Sequence, residues 1–366
     1  HWPFCLSKCP YCDFNSHVSD GAVDEKRWRR GLLAEMAHFA AETSEKQLET
    51  VFFGGGTPST MAAATTAALI SAAKGFWTCS EDLEVTLEAN PTSVEAGKLV
   101  DFAGAGVTRL SLGVQSFSDK SLKFLGREHS ASDAMRAISL AAETFERFSF
   151  DLIYGLPGQS AADWKSELNQ ALALAGGHLS LYQLSIEEGT PFFRDGVAEA
   201  DSDTGADLYE LIHERVALNG FNAYEISNYA RTGQECRHNM AIWQGGDYVG
   251  IGPGAHGRLS NDAATDALYQ VHDPGRWLQR VEKDAHATAK RHTLSAASRA
   301  EELLLTGLRL NRGIDAARLP DVRGIIAEDA LRHLIEADFL ICDDNGLRTT
   351  HKGRLCLNAV LAELLG

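Results

Sequence analysis

Three cysteines stand close together at the start of the chain and could ligate an iron–sulfur cluster. They are Cys5, Cys9 and Cys12, in the spacing C-x3-C-x2-C. Soft thiolates are the ligands that such clusters favour. Three of them can hold three corners of a cubane and leave the fourth iron open to bind a small chelating ligand and pass it an electron. The spacing therefore predicts a [4Fe–4S] cluster with one open iron.

A zinc site is the alternative for the same cysteines. Zinc sites usually have four Cys or His ligands in paired C-x2-C knuckles. The sequence has no second knuckle, although His1 could complete a four-ligand set. The chain has seven cysteines, and this odd number does not fit a disulfide framework. It favours a reducing compartment, for which we expect the cytoplasm.

A glycine-rich run, Gly54–Ser59, follows an apolar segment. Glycines let a ligand approach the backbone, whose N–H and C=O groups can hold the amino and carboxylate ends of an amino acid. An ordinary tight turn is the alternative. A dinucleotide site is disfavoured because G-x-G-x-x-G is absent there.

The overall composition limits the classes of partner. The 366 residues include 34 Lys+Arg against 50 Asp+Glu, a net charge of −16, which argues against a broad nucleic-acid or anionic-membrane surface. No apolar run reaches the roughly 18–20 residues that span a bilayer. The chain opens on His1 rather than Met, and we expect a few native residues, including part of a first strand, to precede it.

From residue 24 to about 220, short apolar segments alternate with helical ones, which indicates a parallel sheet, open or closed. The strands are continuous in Val, Ile, Leu and Phe, as in strands buried on both faces. The predicted strands are Thr50–Phe53, Glu84–Glu88, Thr108–Gly113, Ser149–Tyr154 and Leu179–Ile186. The predicted helices cover 24–42, 61–74, 93–104, 131–143, 160–174 and 204–219, with Ser160 as an N-cap. The polar and glycine-rich motifs follow the strands, at the functional edge of such folds.

The C-terminal third has a different pattern. Residues 222–260 look loop-like, and helices are predicted over 296–310, 327–337 and 355–365, with two short strands around a turn in 339–349. This outline is typical of a winged helix. Residues 295–366 carry 9 Lys+Arg against 11 Asp+Glu, without the basic face of a DNA-binding module. We expect this segment to cover the first domain or to dock a partner.

The cysteine triplet and the glycine run, with three further motifs, resemble the radical S-adenosylmethionine (SAM) family of oxygen-independent coproporphyrinogen III oxidase and the HemW-type haem chaperones. The further motifs are Glu88–Pro91, Gly113–Ser116 and Asp151–Gly158. The resemblance covers nearly the whole chain. It implies an α/β fold, a radical SAM partial (β/α)6 TIM-like barrel with a smaller, mainly helical, winged-helix-like C-terminal domain. The expected regions are 1–220 for the barrel, 221–294 for a connecting region and 295–366 for the C-terminal domain.

The same resemblance implies roles for individual residues. The three cysteines would ligate the [4Fe–4S] cluster, while Gly55, Gly56 and Thr57 would receive the methionyl end of SAM. Glu88 and Gln115 would contact its polar groups. The alternative for Glu88 is a helix cap.

Two charged residues complete the implied SAM site. Arg127 would pair with the SAM carboxylate and Asp151 would contact the ribose, which suits the chemistry of both groups. The alternatives are a surface ion pair for Arg127 and a helix cap for Asp151.

Two departures separate the branches of the family. The oxidase branch carries a fourth cysteine where this chain has Phe14. The run Arg237–Trp243 resembles the H-N-x-x-Y-W motif of haem-binding HemW-type proteins, with Ile242 in place of the tyrosine. His238 is therefore the candidate axial ligand of haem, with Cys236 and His256 as rivals.

These observations leave three hypotheses. The first is a cytoplasmic haem chaperone that binds haem, SAM and one [4Fe–4S] cluster and delivers haem to an acceptor protein, with a cytoplasmic electron donor as a further partner. The second is an oxygen-independent coproporphyrinogen III oxidase. The third, disfavoured by charge, is a zinc-stabilised DNA-binding regulator.

Overall fold

The computed structural model describes residues 1–19, 21, 23–92, 96–261 and 263–366. Its strands, numbered in chain order, are β1 Phe4–Cys5, β2 His17–Val18, β3 Gln47–Phe53, β4 Thr78–Ala89, β5 Arg109–Gln115, β6 Arg147–Tyr154, β7 His178–Gln183, β8 Asn222–Ala223, β9 Asn228–Ala230, β10 His256–Ser260, β11 Thr265–Gln270, β12 Thr288–Thr293, β13 Ile314–Asp315, β14 Leu340–Asp343 and β15 Gly346–Thr349.

The α-helices, numbered in the same way, are α1 Glu25–Glu42, α2 Ala63–Phe76, α3 Leu99–Gly104, α4 Asp119–Phe124, α5 Ala131–Thr144, α6 Ala161–Leu174, α7 Pro191–Arg194, α8 Ser202–Leu218, α9 Arg237–Trp243, α10 Pro274–Asp284, α11 Ala296–Gly307, α12 Leu319–Arg323, α13 Glu328–Glu336, α14 His351–Leu355 and α15 Leu357–Leu365. Among the described residues, no helix is long and apolar enough to cross a membrane.

A seven-stranded sheet in the order β3-β4-β5-β6-β7-β9-β8 forms the partial barrel. Strands β3 to β7 are parallel, and β9 and β8 close the far edge in antiparallel pairing. These parallel strands account for five of the six expected repeats. Beside β3, where the sixth would lie, Trp2 forms a parallel bridge with Gly55. The predicted α/β radical SAM fold is thereby confirmed.

Local sequence signals explain where several helices begin. Ser130 and Ser160 each form a capping box with the aspartate three residues later, Asp133 and Asp163. The predicted N-cap at Ser160 is confirmed. The expected helix over 93–104 appears as α3, Leu99–Gly104, and residues 93–95 lie outside the described part of the chain.

The loop-like interpretation of residues 222–260 is wrong in part. The segment contains β8, β9, the seven-residue helix α9 and β10. These elements are short and gain their order from distant partners, since β9 pairs with β7 and α9 packs on β3. Local periodicity carries no signal for such contacts.

The C-terminal segment has its own hydrophobic core, built around Leu304, Val322, Leu347 and Leu364. The predicted pair of strands around a turn is confirmed as β14 and β15, joined by β13 in a small antiparallel sheet. Helices surround this sheet, in agreement with the expected winged-helix-like, mainly helical domain.

Candidate functional site

One cavity at the carboxyl edge of the parallel strands gathers the predicted cluster and SAM residues. Its volume is about 440 Å³. Its lining includes every cysteine of the triplet and every predicted SAM residue, namely Cys5, Cys9, Cys12, Gly55, Gly56, Thr57, Glu88, Gln115, Arg127 and Asp151. His238 is not part of this lining. The structure thus brings ten of the eleven predicted residues together, while their individual ligand roles stay predictions.

The cysteine loop is held by polar neighbours that face its sulfur atoms. Thr57 Oγ1 donates to Cys5 Sγ over 3.3 Å, and Arg127 Nη1 donates to Cys9 Sγ over 3.3 Å. Cys12 Sγ lies 3.7 Å from Ser16 Oγ. Donors that point at thiolates are a common feature around iron–sulfur clusters, where they tune the reduction potential.

The arrangement of the cysteine thiols is compatible with a cubane cluster, whose assignment to these cysteines stays a prediction. Among the described residues, no three His, Cys, Asp or Glu side chains converge closely enough to share one ion. A cubane does not need such convergence, because each thiolate binds its own iron. Burial raises the pKa of the Cys5 thiol, so bound iron would supply the charge that stabilises its thiolate form.

The glycine run has a structural task that its sequence did not reveal. Gly56 N–H donates to Trp2 O over 2.7 Å, and Thr57 N–H donates to Phe4 O over 2.8 Å. A Cβ on Gly55, whose φ is +119°, would lie 2.5 Å from His1 Nε2 and 2.7 Å from Trp2 O. The expectation that these N–H groups are open to a ligand is therefore wrong for Gly56 and Thr57. The glycines let the cysteine-bearing segment lie directly against this loop.

Two carboxylates share the cavity and are destabilised in their charged forms. Burial raises the pKa of Glu88 to about 8, and the nearby Asp151 adds to this shift. Burial also raises the pKa of Asp151 to about 6, against hydrogen bonds from Ser180 and Ser111. Both residues lie inside strands, β4 and β6, which excludes the helix-cap alternative. A cationic ligand would stabilise both carboxylates.

Arg127 links three parts of the cavity wall. Besides Cys9, it donates from Nη2 to Asn90 Oδ1 at 2.5 Å and to Gly113 O at 2.9 Å. Asn90 in turn donates to Thr57 Oγ1 over 3.2 Å. Arg127 therefore faces the cavity and not the outer surface, which argues against a surface ion pair. Asn90 was not singled out from the sequence, although it lies within the Glu88–Pro91 motif.

Gln115 ends β5 in a strained conformation. Its φ is +69°, in the left-handed region that non-glycine residues rarely adopt. The pairing of β5 with β6 shifts in register just before it. Strain of this kind concentrates at functional sites. Here the irregularity places Gln115 in the cavity wall.

His238 lies on α9, at the first strand of the sheet rather than at the cavity. Its Nδ1 is 3.0 Å from Thr50 Oγ1, and its ring stacks on Phe52 with the centroids 4.7 Å apart. Burial lowers the pKa of His238 to about 4, which keeps the imidazole neutral. The sequence motif thus forms a helix, and its histidine is already oriented by two barrel residues.

The two rival haem ligands differ in accessibility. Cys236 is buried, and burial raises the pKa of its thiol to about 11, which disfavours a thiolate ligand. His256 is exposed at the start of β10, with its ring 4.6 Å from that of Tyr269.

Comparisons with known proteins agree with this geometry. The Radical SAM superfamily model matches residues 1–171, and the HemN C-terminal domain model matches residues 294–356. A protein from Escherichia coli (strain K12) described as heme chaperone HemW is 37% identical over 376 residues, covering 99% of this chain and 96% of its own. The chain belongs to the HemW family of radical SAM proteins.

Other relatives extend the family to organelles. The Bos taurus protein called radical S-adenosyl methionine domain-containing protein 1, mitochondrial, is 39% identical over 383 residues, covering 100% of this chain and 86% of its own. Among solved structures, coproporphyrinogen III oxidase (HemN) from Escherichia coli aligns with a TM-score of 0.83 and 20% identity, over 99% of this chain and 88% of that one. This last likeness concerns the fold alone.

Proposed function

We propose that the protein is a haem chaperone that binds one [4Fe–4S] cluster, SAM and haem and transfers haem to an acceptor protein. The observation that carries the proposal is the full-length likeness to proteins described as HemW. Phe14 supports it, because this residue lines the cavity with 61% of its surface exposed, where the oxidase branch has a fourth cysteine.

Each cavity residue has a separate task in this proposal. The three cysteines would hold the cluster, which would supply electron-transfer chemistry beside bound SAM. Thr57 and Arg127 donate to the sulfurs of Cys5 and Cys9. Arg127 pairs with the SAM carboxylate, and Asp151 accepts from the ribose hydroxyls.

The remaining cavity residues orient the methionyl end of SAM. Glu88 accepts from the cationic amino group, and this interaction offsets the cost of ionising a buried carboxylate. Gln115 contacts the polar groups of SAM. Gly55 and Gly56 let the cysteine-bearing segment lie directly against the loop that receives the methionyl end. The hydrogen-bond partners that SAM has in water are thereby replaced by fixed protein groups.

Haem binds at the segment that contains His238. Thr50 and Phe52 hold the imidazole by its Nδ1 atom and by one ring face, and they leave Nε2 as the atom that can ligate iron. Because the imidazole is neutral, no proton has to leave before it binds iron. The acceptor protein and a cytoplasmic electron donor complete the proposed partners, with the cytoplasm as the proposed location.

We retain the regions 1–220, 221–294 and 295–366 as the proposed barrel, connecting and C-terminal regions. The match to the HemN C-terminal domain model begins at residue 294, next to the last of these boundaries. Strands β8 and β9, which begin at Asn222, complete the barrel sheet, so the connecting region also contributes to the barrel.

The alternative is an oxygen-independent coproporphyrinogen III oxidase. The cavity is equally compatible with this alternative, since both functions use the residues predicted for cluster and SAM. An anaerobic assay separates the two functions. The reconstituted protein, given SAM, a reductant and coproporphyrinogen III, should form no protoporphyrinogen IX, and a parallel titration should show about one haem per chain. Formation of protoporphyrinogen IX that depends on SAM would establish the oxidase instead.

A further inference from the structure

Two buried N–H groups beside the haem segment have no hydrogen-bond acceptor among the described residues. They are Trp243 Nε1 and Arg309 Nε. Trp243 is the last residue of α9, and Arg309 comes from the C-terminal domain, just after α11. Burying such donors without an acceptor costs free energy. Their positions are consistent with an acceptor supplied by a ligand.

The two side chains are in direct contact. The guanidinium carbon of Arg309 lies 4.7 Å from the centroid of the Trp243 ring. Glu225 fixes the position of the guanidinium, because its Oε2 accepts a hydrogen bond from Arg309 Nη2 over 3.2 Å. About a third of the Arg309 side chain is exposed (34%), against 1% for Glu225. A ligand can therefore reach the arginine from solvent, while the buried carboxylate holds it in place.

Glu225 is itself held by its neighbours, so the arginine has a rigid support. Its Oε1 accepts from Ser227 N over 2.7 Å and from Asn228 Nδ2 over 2.6 Å. Asn228 belongs to β9 of the barrel sheet. The barrel thus positions Glu225, Glu225 positions Arg309, and Arg309 covers the aromatic residue of the haem segment.

We propose that Arg309 and Trp243 bind a propionate carboxylate of haem, as a composite site between the connecting region and the C-terminal domain. This inference rests on the proposed haem chaperone function. The guanidinium offers a propionate a charge-assisted interaction from the exposed part of the Arg309 side chain. A carboxylate that enters the contact would also give the two buried N–H groups the acceptor that they lack. The porphyrin edge next to the propionate is apolar and suits the indole surface. The C-terminal domain, which lacks a basic DNA-binding face, would thereby supply the cation that recognises haem.

The test compares haem with haem dimethyl ester, in which both propionates are neutral. Binding of each to the full-length, cluster-reconstituted protein is measured by absorbance titration. The wild-type protein should bind haem about tenfold more tightly than the ester, the effect of one charge-assisted hydrogen bond. Arg309→Met should lower haem affinity to that of the ester and leave ester affinity unchanged within about twofold. Arg309→Lys should restore part of the difference.

Two further variants protect this test from a folding defect. Arg309→Met leaves the buried Glu225 without its cation, which is costly, so Arg309→Met/Glu225→Gln should reproduce the loss of discrimination in a stable protein. Arg299→Met is the matched control, because Arg299 belongs to the same domain and donates to Gly245 O, two residues after Trp243. It should keep the preference for haem.

Three results would overturn the proposal. The first is equal affinity of the wild-type protein for haem and the ester. The second is that Arg309→Met and the double variant lower the affinity for haem and the affinity for the ester by the same factor. The third, no binding of either ligand to the wild-type protein, would overturn the haem chaperone function as well, and so is distinguishable from the first two.

Discussion

Arg127 Nη1 lies 3.3 Å from the sulfur of Cys9, so that the cation proposed to bind SAM also contacts a proposed cluster ligand. Its Nη2 atom holds Asn90 and the carbonyl of Gly113. A single side chain therefore joins the cysteine loop to the ends of β4 and β5. Because a guanidinium presents its donors in a rigid fork, these contacts fix its plane before any ligand arrives.

The first prediction concerns this arginine. Arg127→Met should weaken SAM binding by about 1–3 kcal/mol, since it removes a charge-assisted hydrogen bond, and should leave iron content near that of the wild-type protein. Isothermal titration with SAM and an iron assay measure the two quantities. Arg127→Lys keeps the charge but loses the forked arrangement of donors. Its SAM affinity should therefore lie between those of the wild-type protein and Arg127→Met. Unaltered SAM affinity in Arg127→Met would show that the carboxylate binds elsewhere.

The second prediction concerns the cysteine triplet. Anaerobically reconstituted wild-type protein should carry about four irons per chain, and Cys9→Ser should lose most of them, because three thiolates are the minimum that leaves one iron open. Cys342→Ser is a suitable control, since this exposed cysteine lies on β14 of the C-terminal domain. Full iron occupancy in Cys9→Ser, or stoichiometric zinc in the wild-type protein, would contradict the cluster assignment.

The barrel strands could be predicted from the sequence because each is a short apolar run that is recognised from neighbouring residues alone. Apolar runs such as Ser149–Tyr154 lie within an observed strand, β6. The site residues follow these strands, and parallel strands bring their carboxyl ends to one edge. The resemblance to a known family then indicated which of the residues at that edge would contact a ligand, and these individual roles stay predictions.

What the sequence could not predict depends on contacts between distant parts of the chain. The orientation of His238 comes from Thr50 and Phe52, nearly 190 residues earlier in the chain. The contact between Arg309 and Trp243 joins two regions that have no shared sequence motif. The close approach of the N-terminal segment to Gly55 and Gly56 is likewise invisible in the sequence, while the role of these glycines toward SAM stays a prediction.

The third prediction concerns the pH dependence of stability. The folded-state pKa of Glu88 is raised to about 8 by burial and by Asp151, so between its ordinary pKa and about 8 the folded protein binds more protons than the unfolded chain. The free energy of unfolding should therefore fall as pH rises from about 5 to about 8.

Glu88→Gln should flatten this slope and be more stable than the wild-type protein at pH 8, by about 1–3 kcal/mol, while it binds SAM more weakly. Urea unfolding of the cofactor-free protein at pH 5.5 and pH 8 measures the effect. Glu81→Gln, an exposed position on the same strand β4, is the matched control. A Glu88→Gln variant with the slope of the wild-type protein would show that Glu88 is ionised in the free protein at both pH values.

The last prediction concerns the axial ligand of haem. The pKa of His238 is lowered to about 4 by burial, so its imidazole should ligate iron at pH 5.5 as well as at pH 8, and the haem spectrum should be the same at both. His238→Ala should shift the spectrum and weaken binding without abolishing it, since burial of the apolar porphyrin face continues to stabilise the complex. His256→Ala is the matched control, because His256 is exposed on β10, and its spectrum should equal that of the wild-type protein. If His256→Ala shifts the spectrum and His238→Ala does not, the iron is bound at the exposed histidine. Burial raises the pKa of the Cys236 thiol to about 11, which disfavours the remaining rival as a free thiolate at either pH.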